Sequence, residues 1–395
     1  MQPFTSEREE DILIGTGEVW NYQELVPDTD LRSDVDVFLR LDMMATQLDR
    51  VDGDFAFVRS TADRRFWAAR DIAGVRPLFY ATNAAGKPIA FASEAKALVS
   101  GPSVAKVAVF PPGHFGGVDS AIVTAIVNRL GSTKNIRVFT MEYENSGSQD
   151  AFYARMLCQF YGLHHTVVSF TADMVKDSIR PVIAQCETYD PNTIRAAIPM
   201  YLLAKYIAEH TDVKVILSGE GADELFAGYL YFMSAPTGDH LNDEARRLLA
   251  NIHMFDLLRA DRCFAAFSLE VRVPYLDKDL MDYVTTLQGD MKKFRNGAEK
   301  MLLRDSFKEY QELVQLRILE RPKERFSDGC GFSYVPHLLN FVSDHAPRLD
   351  DKLKREKEFY MKIFDELYTP DNQHWIAQRE LPAWASGKVQ DVGLD

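Results

Sequence analysis

Cysteine is scarce in this sequence: four thiols, Cys158, Cys186, Cys263 and Cys330, are spread through 395 residues without a Cys-x-x-Cys pair. That spacing excludes a thiolate zinc site and a disulfide framework, and it fits a reducing compartment, the cytosol. Long apolar runs are missing too. None approaches the roughly 20 residues that span a bilayer, so no transmembrane helix and no membrane partner are expected. The opening residues Met1-Gln-Pro-Phe-Thr-Ser-Glu-Arg-Glu-Glu10 are polar and acidic, which fits neither a signal nor a transit peptide. Positive charge is in deficit, with 45 Lys and Arg against 58 Asp and Glu and a net charge of −13. Such a balance repels a nucleic-acid backbone, although local groups can still hold a small polyphosphate. What remains is a globular composition, 46% hydrophobic and 26% charged, in a chain long enough for two domains.

The stretch Val213-Lys-Val-Ile-Leu-Ser-Gly-Glu-Gly-Ala-Asp-Glu-Leu-Phe-Ala-Gly-Tyr229 organises the rest. Its β-branched start predicts a buried parallel strand, Val213 to Leu217, stopped by Ser218-Gly219. Ligands of open α/β sheets sit beyond the carboxyl ends of such strands. Glu220, Asp223 and Glu224 place three carboxylates within five residues, spaced by small residues that let backbone approach a ligand. Clustered acids hold a hard cation or move protons. They equally suit a solvated turn, with Asp223 and Glu224 opening a helix.

Residues 1 to 112 read as short strands between turns, an antiparallel layered sheet. Asp11 to Trp20 is a strand broken by Gly15 and Gly17. Asp54 to Arg59 and Arg64 to Ala69 form a hairpin pair, and Ile89 to Ala92 is a further strand. Gly17-Glu18-Val-Trp-Asn21, Ser33-Asp34-Val-Asp36, Asp52-Gly53-Asp-Phe-Ala-Phe57, Ala69-Arg70-Asp71 through Tyr80, and Phe91-Ala-Ser-Glu94-Ala-Lys96 together resemble the later part of a class II glutamine amidotransferase domain. The resemblance implies an N-terminal cysteine nucleophile, an Asn-Gly oxyanion hole and a carboxylate that anchors the α-amino group of glutamine. Gly17 and Glu18 match the Asn-Gly-Glu segment, and Asp34 the anchoring acid. The chain departs from that pattern. Thr16 stands at the asparagine position, Met1 is followed by glutamine, and no cysteine precedes Cys158. Covalent amide hydrolysis needs a nucleophile, so this truncated domain is not expected to hydrolyse glutamine. Asp34 and Asp36 also read as helix-opening residues ahead of Val37-Phe-Leu-Arg-Leu41.

At the junction, Val104 to Phe110 is strand-like and Pro111-Pro-Gly-His114 resembles the close of the glutaminase domain in asparagine synthetases. Phe115-Gly116-Gly117-Val118-Asp119-Ser120 follows at once and resembles the pyrophosphate loop of ATP pyrophosphatases. The resemblance makes Gly116, Gly117 and Ser120 ATP-binding and Asp119 a magnesium ligand. Glycine N–H groups at a helix start suit a polyphosphate. Phe115 replaces the first serine of that loop. The strand that feeds the loop in the family is missing because the two motifs are fused, and Val104 to Phe110 is the candidate to replace it.

From residue 113 to 395, strands alternate with helices. Ile136 to Met141, a helix from Ala151 to Tyr161, His164 to Phe170 and a helix from about Pro199 to His210 predict a doubly wound parallel sheet. Glu187-Thr-Tyr-Asp190, Thr193-Ile-Arg195, Pro199-Met-Tyr-Leu202, Leu217 to Tyr231, Glu270-Val-Arg272 to Asp277, Glu299-Lys300 and Arg321 to Gly331 resemble the asparagine synthetase family, glutamine-hydrolysing type. That resemblance implies an ATP-pyrophosphatase domain that joins ammonia to aspartate through β-aspartyl-AMP, with ATP and Mg²⁺ as cofactors. Glutamine supplies the ammonia in the full-length family. Asp119 and Asp223 match metal ligands; Met141, Ser218 and Gly219 match nucleotide contacts; Glu220 and Lys300 match catalytic positions. The expected partners are aspartate, free ammonia and a second copy in a homodimer. A non-catalytic chain that only binds full-length subunits is the alternative.

Simpler readings stand beside these. Met141 alone reads as core, and Lys300 alone as an exposed partner of Glu299 or the neighbours of Arg304. His164 and His165 point to opposite faces of a strand and cannot share a metal. Arg272 and Asp277 read as a buried scaffold pair or a site, and the tail after Tyr368 is expected to be mobile.

Overall fold

The computed structural model describes residues 3–5, 11–27, 31–41, 50–61, 66–71, 73–82, 88–99, 106–109, 119–131, 136–144, 148–320, 330, 334–345, 352–368, 376–377 and 380–385. The chain divides into two compact units, Met1–Gly113 and His114–Asp395.

In the first unit, β1 (Phe4–Thr5), β2 (Ile12–Val19), β3 (Gly53–Ser60) and β4 (Phe66–Arg70) form one antiparallel sheet in that order. A second sheet places β5 (Phe79–Thr82) between β6 (Pro88–Ala92) and β7 (Lys106–Val109), both antiparallel to it. Gly15 and Gly17 do not break β2, contrary to the expectation from sequence. The strand pairs with β3 at every residue from Ile12 to Val19. A β-carbon on Gly17 would lie 1.8 Å from the Asp54 carbonyl oxygen, so glycine is what lets the two backbones meet. Phe38 stacks on Phe57 with ring centroids 4.0 Å apart and leans on Phe55 at 4.8 Å, giving this unit its aromatic centre.

The second unit is built from β-α repeats. Helix α1 (Asp119–Arg129) leads to strand β8 (Arg137–Tyr143), helix α2 (Gln149–Tyr161) and strand β9 (His164–Phe170). Helices α3 (Ala172–Cys186) and α4 (Pro191–His210) then precede β10 (Val215–Leu217). The starts of these helices are written in side chains. Ser148 accepts from Ala151 N–H at 3.0 Å, Thr171 from Met174 N–H at 3.3 Å and Asp190 from Thr193 N–H at 2.8 Å, each cap stabilising by about 1 kcal/mol. Asp190 explains why α4 begins earlier than expected: with Pro191 at its first position the helix starts there and runs through Pro199.

Strands β8 and β9 pair in parallel, as do β10 and β11 (Glu270–Arg272), but the two pairs are separate sheets. This corrects two expectations. The strand after Val213 is parallel but not buried, since Val215 is 42% and Leu217 44% exposed. The physical reason is that among the described residues nothing pairs with its second edge. The strand-like segment before the junction does not replace the missing one either, because β7 pairs with β5 in the first unit.

Other sequence readings are also revised. Arg272 pairs with Glu270 at 2.7 Å, whereas Asp277 caps the next helix by accepting from Leu280 N–H, so they are not a pair. Part of the tail is packed: Ala385 is buried and Trp384 lies 6.0 Å from the Tyr231 ring, in a cluster with Phe232 and Leu241. None of the four cysteines is in a disulfide, and all are buried. His165 bonds Thr140 at 2.8 Å while His164 is exposed, as opposite faces require.

Candidate active site

The stretch that follows β10 turns sharply. Gly219 abuts the first turn of α1, where an added β-carbon would lie 2.6 Å from Ser120 N and Oγ and 2.9 Å from Asp119 Cβ. Only a residue without a side chain brings the β10 turn this close to that helix start. After the turn, the short helix α5 (Ala222–Leu225) carries Asp223 and Glu224 inward rather than to solvent. Both are buried, at 4% and 1% exposure.

From the far side comes Lys300, which precedes helix α6 (Met301–Ser306) with a left-handed φ of +52°. Its ammonium lies 2.8 Å from Asp119 Oδ2, 3.2 Å from Asp119 Oδ1 and 2.7 Å from Asp223 Oδ1. Lys300 is 1% exposed and Asp119 0%. Burial alone would lower the lysine pKa, but the two carboxylates outweigh it and hold the pKa above the ordinary value. The surface pairing read from sequence is therefore replaced: Glu299 pairs instead with Arg304.

Ser120, Met141, Ser218, Gly219, Glu220 and Asp223 line one cavity of about 500 Å³. Met141 is 3% exposed and its carbonyl accepts from Ser148 Oγ at 3.3 Å. Neither Asp119 nor Lys300 lines the cavity, and the Asp119 carbonyl accepts from Tyr275 Oη at 3.3 Å. Gly116 and Gly117 lie outside the described residues, as do Phe115 and residues 321–329.

Sequence reasoning missed the charged floor of this cavity. Arg259, on the helix Asp256–Ala265, reaches Glu220 Oε1 at 3.4 Å and also pairs with Asp256. Glu224 accepts from the Tyr229 hydroxyl, and burial first, then the charges of Asp256 and Asp223, push its pKa well up. Asp256, Arg259 and Arg262 recur every three residues, a stripe ordinarily read as a solvated face; here all three are buried. Arg262 faces Glu187 at 3.4 Å. Arg195 donates to Glu356 at 3.0 Å on helix α7 (Lys352–Tyr368), and Tyr334 Oη donates to the Arg195 carbonyl at 2.8 Å. The Glu187–Arg195 motif therefore braces helices and does not line the cavity.

In the first unit, Gly17 and Glu18 lie in β2 opposite Phe55 and Asp54. Asp34 Oδ2 accepts from Val19 N–H at 2.6 Å, opening a short 3₁₀ turn, while Asp36 pairs with Arg32 at 3.1 Å. The acid at position 34 thus ties β2 to the turn that precedes Val37–Arg40.

Among the described residues no group of three His, Cys, Asp or Glu is arranged to hold a metal, and no helix is long and apolar enough to cross a membrane. Asp119 and Asp223 nonetheless converge on one cation, the Lys300 ammonium. Two carboxylates on a common point are the protein share of a magnesium site completed by phosphate and water, so the donor set fits that ion.

A glutamine amidotransferase domain model matches residues 1–110, and the asparagine synthase model matches 115–243 and 234–391. These matches define a glutamine amidotransferase domain followed by an asparagine synthase domain. Similar proteins include asparagine synthetase [glutamine-hydrolyzing] of Gallus gallus, 31% identical over 479 residues, covering 94% of this chain and 84% of the relative. The Homo sapiens protein of the same name is 32% identical over 430 residues, covering 85% and 76%. A probable asparagine synthetase [glutamine-hydrolyzing] of Acanthamoeba polyphaga mimivirus is 32% identical over 487 residues, covering 99% and 87%. The chain belongs to the asparagine synthase family.

Proposed function

We propose that this chain makes asparagine from aspartate, ATP and free ammonia. The observation that carries the reading is the meeting of Lys300 with Asp119 and Asp223 beside a cavity lined by Ser218, Gly219 and Glu220. A side-chain carboxylate oxygen of aspartate attacks the α-phosphorus of ATP; the bond to pyrophosphate breaks, leaving β-aspartyl-AMP. Ammonia then attacks the acyl carbon, the bond to AMP breaks, and one proton leaves the nitrogen.

Each step needs groups of the kind gathered here. Ser120, Ser218, Gly219 and the Met141 backbone bind and orient the nucleotide, with Gly116 and Gly117 for its phosphates. Lys300 offers a point charge to the departing pyrophosphate. Glu220 takes the proton from the attacking nitrogen, held in place by Arg259. Asp119 and Asp223 would hold magnesium, which would supply charge neutralisation at the phosphates.

Ammonia rather than glutamine is the nitrogen source in this reading because Thr16 stands where the resemblance puts the oxyanion-hole asparagine. Gly17, Glu18 and Asp34 are then a glutamine-binding remnant without turnover. The site acts in the cytosol, in a homodimer, with no nucleic-acid or membrane partner. Pyrophosphate release by the purified chain with Mg-ATP, aspartate and ammonium is the test, run beside glutamine in place of ammonium. Product with ammonium alone is expected; equal product with glutamine defeats the reading. With Glu220→Gln, pyrophosphate release should outlast asparagine formation, because only the second step needs the base.

A further inference from the structure

The turn that carries Asp223 runs on into strained backbone. Ala227, fully buried, has a left-handed φ of +56°, a conformation that favours glycine over any residue with a β-carbon. Gly228 follows, its N–H donating to the Asp223 carbonyl at 2.5 Å. A β-carbon on Gly228 would lie 1.8 Å from Asp223 Oδ1 and 2.2 Å from Lys300 Cε. The backbone at 228 is therefore a wall against which the Asp223 carboxylate and the Lys300 stem both rest.

Strained backbone persists where its surroundings over-determine it. Here aromatic rings do so. Tyr229 and Tyr231 lie nearly parallel with centroids 6.0 Å apart, and Phe232 is 5.0 Å from Tyr231. At one end of this stack Tyr229 lines the cavity and its hydroxyl donates to Glu224. At the other end the stack meets a segment from late in the chain. Trp384 lies 6.0 Å from the Tyr231 ring, and Ala385 is buried in the same cluster as Ala227. Arg247 fastens that segment by donating to the Glu380 carbonyl at 2.8 Å. The same guanidinium donates at 2.7 Å to Glu244, whose Oε1 accepts from the Tyr231 hydroxyl at 2.6 Å.

We propose, resting on the roles given above to Asp223 and Lys300, that Trp384 is a positioning residue for the amide-forming site. The segment Glu380–Ala385 holds the aromatic stack, the stack holds Ala227 left-handed, and Gly228 thereby fixes the Asp223 carboxylate against Lys300. Trp384 itself reaches neither substrate nor reacting atoms. Its effect on the reaction is that of placement, where an error of about 1 Å costs on the order of a hundredfold in rate. Plain packing would instead support the whole unit evenly, and the two are separable by where the structure loosens.

Amide hydrogen exchange of the full chain makes that separation. Gly228 and Phe232 N–H groups donate to the carbonyls of Asp223 and Tyr229. Trp384→Ala should speed their exchange by roughly tenfold or more and leave the amides of α4 as in the parent. Trp384→Phe keeps a ring and should stay within about threefold of the parent. In an Ala227→Gly background the Trp384→Ala effect should shrink, because glycine holds a left-handed φ unaided. Steady-state kinetics with Mg-ATP, aspartate and ammonium should show kcat for pyrophosphate release down about tenfold or more in Trp384→Ala, with KM for ATP within about threefold. A parent chain that releases no pyrophosphate would sink the synthetase reading, while exchange still decides the placement by Trp384. Gly228 exchange unchanged in Trp384→Ala would overturn the proposal. So would acceleration spread equally over α4, or an effect of the same size in both backgrounds at position 227.

Discussion

Lys300 holds Asp119 at 2.8 Å across 181 residues of chain, with neither group open to water. Removing the cation leaves two carboxylates buried near one another. Lys300→Met should therefore destabilise the second unit by about 3–5 kcal/mol, measured by urea unfolding, because breaking a buried pair strands its partner. Asp119→Asn in the same background should recover part of that loss. A variant as stable as the parent would show the pair to be immaterial to the fold.

The same contact has a pH signature. The Lys300 pKa is raised above 10.5 in the folded chain. The folded state therefore binds this proton more tightly than the unfolded state, and the contribution is complete below pH 10.5 and lost as pH rises through the folded value. Parent and Lys300→Met stabilities should stay separated at neutral pH and converge only in strong alkali. Convergence near pH 8 would contradict the raised value.

Glu224 carries the same sign at lower pH. Its carboxyl is pushed well above 4.5 by burial and by Asp256 and Asp223, so the folded state favours the proton and stability falls as pH rises from 4.5 toward the folded value. Glu224→Gln keeps an acceptor for the Tyr229 hydroxyl without the charge. It should raise stability at pH 7 by about 1–3 kcal/mol and match the parent at pH 4, as read by thermal melts.

Gly219→Ala places a methyl 2.6 Å from Ser120 N. Either the β10 turn or the start of α1 must shift, at about 1–3 kcal/mol, and the turn should lose nucleotide affinity with it. Calorimetry with ATP is the check; unchanged binding would separate this turn from the nucleotide.

Local signals were legible where one residue decides the outcome. The runs at β8 and β9 declare themselves by β-branched residues and the helix after Ser148 was read, but the Thr171 and Asp190 caps were not, so α3 was missed and α4 placed late. Pro199 misled because a proline in a long, eleven-fold buried helix is outweighed by tertiary packing. Lys300 and the Asp256-Arg259-Arg262 stripe were unreadable alone, since their partners lie far along the chain and charged residues are ordinarily exposed. The exposure of β10 was hidden for a similar reason: a strand's burial is set by neighbours, not by its own letters.

Arg195 and Glu356 stand 161 residues apart and are both buried. During synthesis this ion pair cannot form until the helix Lys352–Tyr368 has left the ribosome. The amide-forming unit is therefore finished late, and the nascent chain carries an open interior for most of its translation, the stage at which chaperones matter most to it.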